Sequence, residues 1–491
     1  MLLENLITEE IEEYIIERKG LFDVEIKNLR NDSRTIEEGS LFIAIKGFND
    51  DGLKYLDQAI EKGATAAIVH EEANLENINI PVIKVREIRK VAAYISRTLY
   101  KDPTRRIPVI GITGSKGKTT SSFVLTKILR KQGYIVGNIG TNGVFLNEDK
   151  FGETNNTTPE AFEINEILHN MIIKGANIAV LELSSQSIVA DRIIGMHFEY
   201  TTFTNFSHDH ISESEHATME EYFDAKVQIT DYAPVVVLNM DDENVSKVKS
   251  LLEHKKYITY GQSRDNDIII DFNDIHYTAK GTDFSLEYEG EKRHFKTSMI
   301  GEIAVYNIAC AIAIANELHI EDDIIRSAIE DIYIDGRMNF IENDLGINIV
   351  IDYAHTEESL KQALKIFKYI SKDNKVIALW GLSGQRDKGK RPIMGRVSGE
   401  YADFTIITSE DPRDEDPMII AEEIAVGVRE AGGEYLIEND RKKAIFDALN
   451  MAKPGDTVAL LGKGTERTQQ FKDKEVYFNE YEIVDEYLKK N

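Results

Sequence analysis

In the run GITGSKGKTTSSFVLTKIL, an apolar stretch meets a glycine-rich turn, and a helical pattern opens at Thr119. Glycines let backbone amides approach phosphate oxygens, and a helix N-terminus favours negative charge. Gly114, Ser115, Lys116, Gly117, Lys118, Thr119 and Thr120 are therefore candidates for binding ATP. Lys118 is suited to bridging the β- and γ-phosphates, and Thr119 to ligating Mg2+. The spacing departs from the strict phosphate-loop pattern, because Ile112 stands five residues before Gly117 and the nearer glycine is Gly114. Three further groups stand near other expected strand ends: Glu182 in NIAVLELSS, His210 in FTNFSHDH and Lys226 in EEYFDAK. Glu182 and His210 can hold a divalent cation, which neutralises charge as a phosphoryl group transfers. Each alone also has an ordinary structural reading, as a helix-capping acid, a satisfied loop histidine and a solvated helix lysine.

The elements that must position these groups follow from hydrophobic pattern. From residue 108 onward, VIGI, NIAVLEL, YTTFTNF and PVVVLN alternate with helical stretches, which predicts crossover units and a largely parallel sheet with chemistry at its strand ends. Residues 267–297 read as short antiparallel strands, a β-rich annex, followed by a helix through residues 306–318. After GRMNFIE come INIVIDYA, KVIALWG, ADFTIITS, EYLIEN and DTVALLG, separated by helices such as PMIIAEEIAVGVRE. Residues 24–100 carry short strands and helices of their own. The expected class is α/β in three domains: a small N-terminal α/β module over residues 1–106, a central phosphate-loop ATPase domain over 107–333, and a C-terminal Rossmann-like domain over 334–491. The length of 491 residues agrees with that count at roughly 100–200 residues per domain.

Composition narrows the function classes. With 42% hydrophobic and 29% charged residues and no long apolar run, no membrane insertion is expected. Residues 1–20 are acidic and lack a secretory pattern, so a cytoplasmic protein is expected. A formal charge of −27 argues against a nucleic-acid partner. The single cysteine, Cys310, excludes an intrachain disulfide and lies in the apolar run YNIACAIAIA, where it reads as helix core.

Taken together and in order, GSKGKTT, NTTPE, ELSSQSI with Arg192, FTNFSHDH, the lysine of EEYFDAK, and LNMDD resemble the Mur ligase family. NDSRTIEEGSLFIAIKG near the N-terminus resembles the uridine-nucleotide module of the branch that adds the third peptide residue, the UDP-N-acetylmuramoyl-tripeptide synthetases. DYAHTEESL, GQRDKGKRP, EDPRDEDP and GKGTE resemble that branch's final domain, so the likeness covers nearly the whole chain. It implies a peptidoglycan-precursor ligase, acting as a monomer, in which a substrate carboxylate takes the γ-phosphoryl group of ATP and an incoming amine displaces phosphate. It implies that Lys226 is carbamylated and holds magnesium with Glu182 and His210, while Thr119 serves another ion. Ser33 would meet the uracil of a UDP-N-acetylmuramoyl dipeptide, and Thr157, Thr158, Ser185 and Arg192 its pyrophosphate, sugar and peptide. Asn307, Arg337, Asp352 and His355 would line ATP. Such a site spans all three domains and would be completed by closure. The chain departs from the family pattern at Leu53, Ala304 and Thr465, where the family commonly has histidine, asparagine and histidine.

The branch divides between meso-diaminopimelate and L-lysine, which differ by one distal carboxylate. The family's diaminopimelate motif DNPR aligns with Glu410, Asp411, Pro412 and Arg413. Arg413 retains the guanidinium that clamps a carboxylate, whereas Asp411 replaces an amide with an acid and would favour lysine. The balance leans to diaminopimelate, since Arg413 opposite an aliphatic amine would be left without a partner. Arg386, Gly462 and Glu466 complete the implied diamino acid site. The alternatives are the lysine-adding ligase, a folate-type ligase, which would lack the N-terminal uridine module, and a non-catalytic regulator on the same fold.

Overall fold

The computed structural model describes every residue except 48, 49, 77, 208–215, 217, 253 and 491. His210 thus lies outside the described residues. The chain divides into two compact units, the first comprising residues 1–273, 285–294 and 305–329, the second 274–284, 295–304 and 330–491.

The first unit contains two sheets. The N-terminal one has the order Ile15–Lys19, Val82–Val85, Ala66–His70, Ser40–Ala44, Asn28–Arg30 and is parallel except where Ile15–Lys19 runs antiparallel at its edge. That edge strand is absent from the sequence reading because its IIERK carries no alternation and only half-buries its ends. The other sheet includes a parallel run in the order Ile268–Ile270, Lys256–Gly261, Val235–Asn239, Tyr200–Phe203, Val109–Thr113, Ile178–Glu182, Val136–Gly140. Every residue of Val109–Thr113 and Ile178–Glu182 is buried, as expected for strands covered on both faces. Val109–Thr113 lies between Ile178–Glu182 and Tyr200–Phe203, and the chain runs from it first to Val136–Gly140 on one side and later to Val235–Asn239 on the other, so its C-terminal end opens at a topological switch point, where ligands bind in open α/β sheets. The expected β-rich annex is present: Ile268–Ile270 pairs antiparallel with Gly281–Tyr288, which in turn pairs with Glu291–Thr297.

The second unit holds a sheet ordered Asn339–Ile341, Asn348–Asp352, Thr457–Leu461, Val376–Trp380, Phe404–Ile407, Tyr435–Ile437, parallel except for its first pair. Five of its six strands coincide with the apolar runs expected from the sequence, whereas the edge strand Asn339–Ile341, in GRMNFIE, is not among them. One core layer packs Val350, Ala378, Trp380 and Ala459 against the helices Glu357–Ser371, Lys390–Tyr401 and Pro417–Glu430. The opposite layer packs Ile349, Leu379 and Leu460 against Arg441–Met451 and Glu480–Leu488.

A fully buried ion pair ties this core to its strand ends. Arg441 pairs with Glu480 at 2.7 Å, both side chains being 0% exposed, and also donates to the carbonyls of Leu461 at 2.8 Å and Ser409 at 3.4 Å. Glu480→Gln keeps the shape but removes the charge facing a desolvated guanidinium. It is expected to cost about 1.5–3 kcal/mol and to lower the thermal unfolding midpoint by several degrees. An unchanged midpoint would show that the pair contributes nothing net.

Candidate active site

The strand Val109–Thr113 leads through Gly114–Gly117 into the helix Lys118–Gln132, one residue earlier than the sequence reading placed it. Gly117 caps the helix at φ +82°, a left-handed conformation, and a Cβ there would collide with Oδ1 of Asn307. That side chain also accepts from Ser121 Oγ at 3.2 Å, so Asn307 is brought against the loop and its helix. Lys118 Nζ donates back to the carbonyls of Gly114 at 2.8 Å and Ser115 at 3.2 Å. Lys116 N donates to Asn205 Oδ1 at 2.8 Å, and Ser115 Oγ lies 2.9 Å from the hydroxyl of Tyr222. Thr120 is buried in the helix's first turn.

Glu182 ends the strand next to this loop and is 2% exposed. Thr119 Oγ1 donates to its Oε2 at 2.8 Å, and Thr141 donates through its hydroxyl at 3.0 Å and its amide at 3.2 Å. Gly140 leaves room for this carboxylate, since a Cβ there would overlap it. Burial raises the Glu182 pKa, opposed by the Thr119 hydrogen bond and the Lys118 charge. A carboxylate in that condition gains from a cation. With Thr119 it offers two hard oxygen donors, which suits Mg2+, an ion that takes few protein oxygens and fills its remaining positions with phosphate and water. Among the described residues, no group of three or more His, Cys, Asp or Glu side chains could hold a metal.

Lys226, on the helix Met219–Ile229, is 1% exposed and donates to the carbonyl of Gly114 at 2.9 Å and to Thr113 Oγ1 at 3.5 Å. It therefore meets the phosphate loop rather than lying on a solvated helix face.

The residues expected around the nucleotide-sugar substrate lie in the same unit. Thr158 Oγ1 donates to the Glu182 carbonyl at 2.9 Å, Thr157 Oγ1 lies 3.1 Å from Thr141 Oγ1, and Arg192 reaches the Thr158 carbonyl at 3.1 Å. Ser185 Oγ meets Nε2 of the buried His216 at 2.8 Å. Ser33 is buried and donates to Gln58 at 2.6 Å, and among the described residues no hydrogen bond joins it to the Thr158 group. Sequence reasoning missed Thr141 and Glu160. The Glu160 carboxylate holds Arg192 at 3.3 Å and Arg89 at 3.2 Å, and its only sequence signal was its place in NTTPE.

In the second unit, Asp352 ends its strand and accepts from the amides of Met338 at 2.8 Å and Ala354 at 2.9 Å. Its pKa is raised by burial, opposed by the Arg337 charge. Arg337 lies 5.1 Å over the Tyr353 ring, and His355 Nδ1 is 2.7 Å from the Tyr353 carbonyl.

Neighbouring strand ends carry the remaining candidates. Glu410 is buried. Ser383 donates to its Oε1 at 2.8 Å, and its Oε2, beside Gly462, has no hydrogen-bond partner. Burial raises its pKa, against the Ser383 hydrogen bond and the charges of Arg441 and Lys463. Arg413 sits at φ +53°, a strained conformation for a side chain of this size. It is held there by donation from its amide to the Gln470 carbonyl at 3.0 Å. Its Nε is buried and also without a partner. Glu466 accepts from Tyr353 at 3.3 Å and from Lys463 at 2.6 Å. Arg386 is exposed and, among the described residues, joins no hydrogen bond of this cluster. An unpartnered buried carboxylate oxygen and an unpartnered buried guanidinium nitrogen on the same loop complement a ligand carrying both an ammonium and a carboxylate.

Residues 25–110 match the family model described as Mur ligase family, catalytic domain, residues 112–315 the Mur ligase middle domain, and residues 336–464 the Mur ligase, glutamate ligase domain. Among curated proteins, the chain is 36% identical to the UDP-N-acetylmuramoyl-L-alanyl-D-glutamate–2,6-diaminopimelate ligase of Clostridium perfringens, covering 95% of this chain and 96% of that protein. It is 36% identical to the protein of the same name from Aquifex aeolicus, covering 94% of each. A solved structure of a ligase of that name aligns over 98% of both chains with a TM-score of 0.69 and 28% identity. A phosphate loop flanked by a buried carboxylate and a buried lysine, carried on this fold and matched along its length, means that the chain belongs to the Mur ligase family.

Proposed function

We propose that this protein joins 2,6-diaminopimelate to UDP-N-acetylmuramoyl-L-alanyl-D-glutamate at the expense of ATP, in cytoplasmic synthesis of peptidoglycan precursors and as a monomer. In this reading, residues 1–106 bind the uridine nucleotide, 107–333 bind ATP and 334–491 bind the amino acid. The loop from Gly114 to Thr120 cradles the phosphates, and Lys118 faces the transferring group. Thr119, Glu182, His210 and Lys226, the last as a carbamate, would hold Mg2+, whose chemistry is to neutralise phosphate charge. Ser33, Thr157, Thr158, Ser185 and Arg192 position the nucleotide-sugar dipeptide. Asn307, Arg337, Asp352 and His355 serve ATP. The substrate carboxylate attacks the γ-phosphorus and ADP leaves. The amine then attacks the acyl carbon and inorganic phosphate departs with the carboxylate oxygen.

The observation that carries the choice of amino acid is Arg413, with its buried and unpartnered Nε. A distal carboxylate would give that donor an acceptor, whereas the aliphatic ammonium of lysine would not. Glu410, Gly462, Glu466 and Arg386 complete the amino-acid site in this reading, with the open Glu410 oxygen suited to an ammonium. Arg413→Ala is expected to cost about 1.5–3 kcal/mol in kcat/KM for diaminopimelate, the range for a charge-assisted hydrogen bond, and much less for lysine. The measurement is kcat/KM with each diamino acid at saturating ATP and UDP-N-acetylmuramoyl dipeptide. Equal losses for both would remove Arg413 as a selectivity clamp, and a parent enzyme preferring lysine would overturn the choice.

A further inference from the structure

We propose that Lys463 is a positioning residue that withdraws Asp411 from amino-acid recognition and leaves the Arg413 guanidinium to set the charge preference. The inference deepens the reading above and rests on it. By its sequence, EDPRDEDP places an acid two residues before Arg413, where it would repel a distal carboxylate and attract an ammonium. The tertiary structure commits that acid elsewhere. Lys463 follows the strand Thr457–Leu461 and stands between Gly462 at φ +106° and Gly464 at φ +52°. Its side chain is 0% exposed, and Nζ donates to Asp411 Oδ1 at 3.0 Å and to Glu466 Oε2 at 2.6 Å. The same Asp411 oxygen accepts from the Gln470 amide at 3.0 Å, and the Asp411 carbonyl accepts from the Gly384 amide at 2.9 Å.

Asp411 is therefore a staple between loops, with a buried cation against its charge. The ammonium 3.0 Å away is shared with Glu466, so it offsets part of the Asp411 field at more distant points, and together with the Gln470 amide it holds that carboxylate to the protein. Arg413 Nε has no such partner, so in this reading its cation is the group left for a distal carboxylate. The acid that stands out in the motif along the chain is thus already engaged by the protein itself. The Lys463 ammonium also orients Glu466, so one buried charge fixes two carboxylates on two different loops.

The test compares Lys463→Met, Asp411→Asn and the double variant with the parent, using diaminopimelate and lysine as separate substrates. Lys463→Met uncovers the Asp411 charge. It should lower kcat/KM for diaminopimelate at least about 30-fold, mostly through KM, while the lysine value falls much less. Adding Asp411→Asn should restore the ratio between the two amino acids to within fivefold of the parent. Asp411→Asn alone keeps an acceptor for Lys463 and Gln470 and should leave that ratio within fivefold. A ratio unmoved by Lys463→Met, or not restored in the double variant, overturns the proposal. If Lys463→Met does not fold, the Asp411→Asn ratio decides, and a shift beyond fivefold toward diaminopimelate shows Asp411 to be a recognition group. A parent with no turnover on either amino acid overturns the proposed function and this inference with it. A parent active on diaminopimelate with an unresponsive ratio overturns the Lys463 role alone.

Discussion

Lys118→Ala is expected to reduce ATP-dependent phosphate release by at least about 10³-fold, corresponding to about 4 kcal/mol of lost transition-state stabilisation. Lys118 opens the helix Lys118–Gln132, and its Nζ rests on the carbonyls of Gly114 and Ser115, the two residues that begin the loop. A phosphate oxygen seated in the loop would take the place of those carbonyls and exchange neutral acceptors for an anion, roughly doubling the strength of each hydrogen bond. Alanine removes both the charge and the donor while leaving the helix intact, since its helix propensity is at least that of lysine. Phosphate release is measured with saturating substrates, alongside thermal unfolding to show that the variant is folded. A folded variant within tenfold of the parent would sink the assignment of this loop to phosphoryl transfer.

The second large effect is expected at Lys226. Its side chain is among the largest that are wholly buried, it lies 5.0 Å over the Tyr222 ring, and its amine meets the Gly114 carbonyl at the start of the loop. Burying a long cationic side chain is costly, so its position beside the nucleotide loop points to use. Addition of carbon dioxide forms an N–C bond with loss of a proton and turns the group into an anion with two oxygen donors, which is the chemistry a hard cation requires. Lys226→Ala is expected to lose on the order of 10²–10³-fold in turnover, a loss comparable to that of one electrostatic stabiliser. Short carboxylic acids should restore part of it by supplying the missing anionic oxygens. Turnover with and without added acetate is the measurement. Full activity without rescue would remove the carbamate from the mechanism, and a loss insensitive to acetate would assign Lys226 to holding the loop at Gly114.

Much of the fold was legible because its strands are short apolar runs between helical patterns. VIGIT, IAVLE, NIVID and TVALL are strands in the structure as the sequence reading placed them, for a strand covered on both faces must be apolar at every position. The edge strand Ile15–Lys19 and the hairpin Thr468–Phe471 with Lys474–Tyr477 were not legible, since exposed strands carry polar residues without a clear period. That hairpin matters to the site, because Gln470 holds both the Arg413 amide and the Asp411 carboxylate in place.

The candidate site divides along the same line. The phosphate loop is a local device, and the order of Gly114, Gly117, Lys118 and Thr119 along the chain already states the backbone shape and charge it needs. Pairings between distant residues are not local. Thr141 reaches Glu182 across 41 positions, Glu160 gathers Arg89 from 71 positions away, and Lys463 meets Asp411 across 52. No periodicity encodes such distances, so the sequence by itself determined the nucleotide chemistry and the layered α/β architecture. Only the tertiary structure decided which charges of the amino-acid site are paired within the protein, as Asp411 is with Lys463, and which, like Arg413 Nε, have no partner. Asp411 reads as a recognition group along the chain and as a staple to Lys463 and Gln470 in space, because an electrostatic field depends on distances through the fold rather than along the backbone.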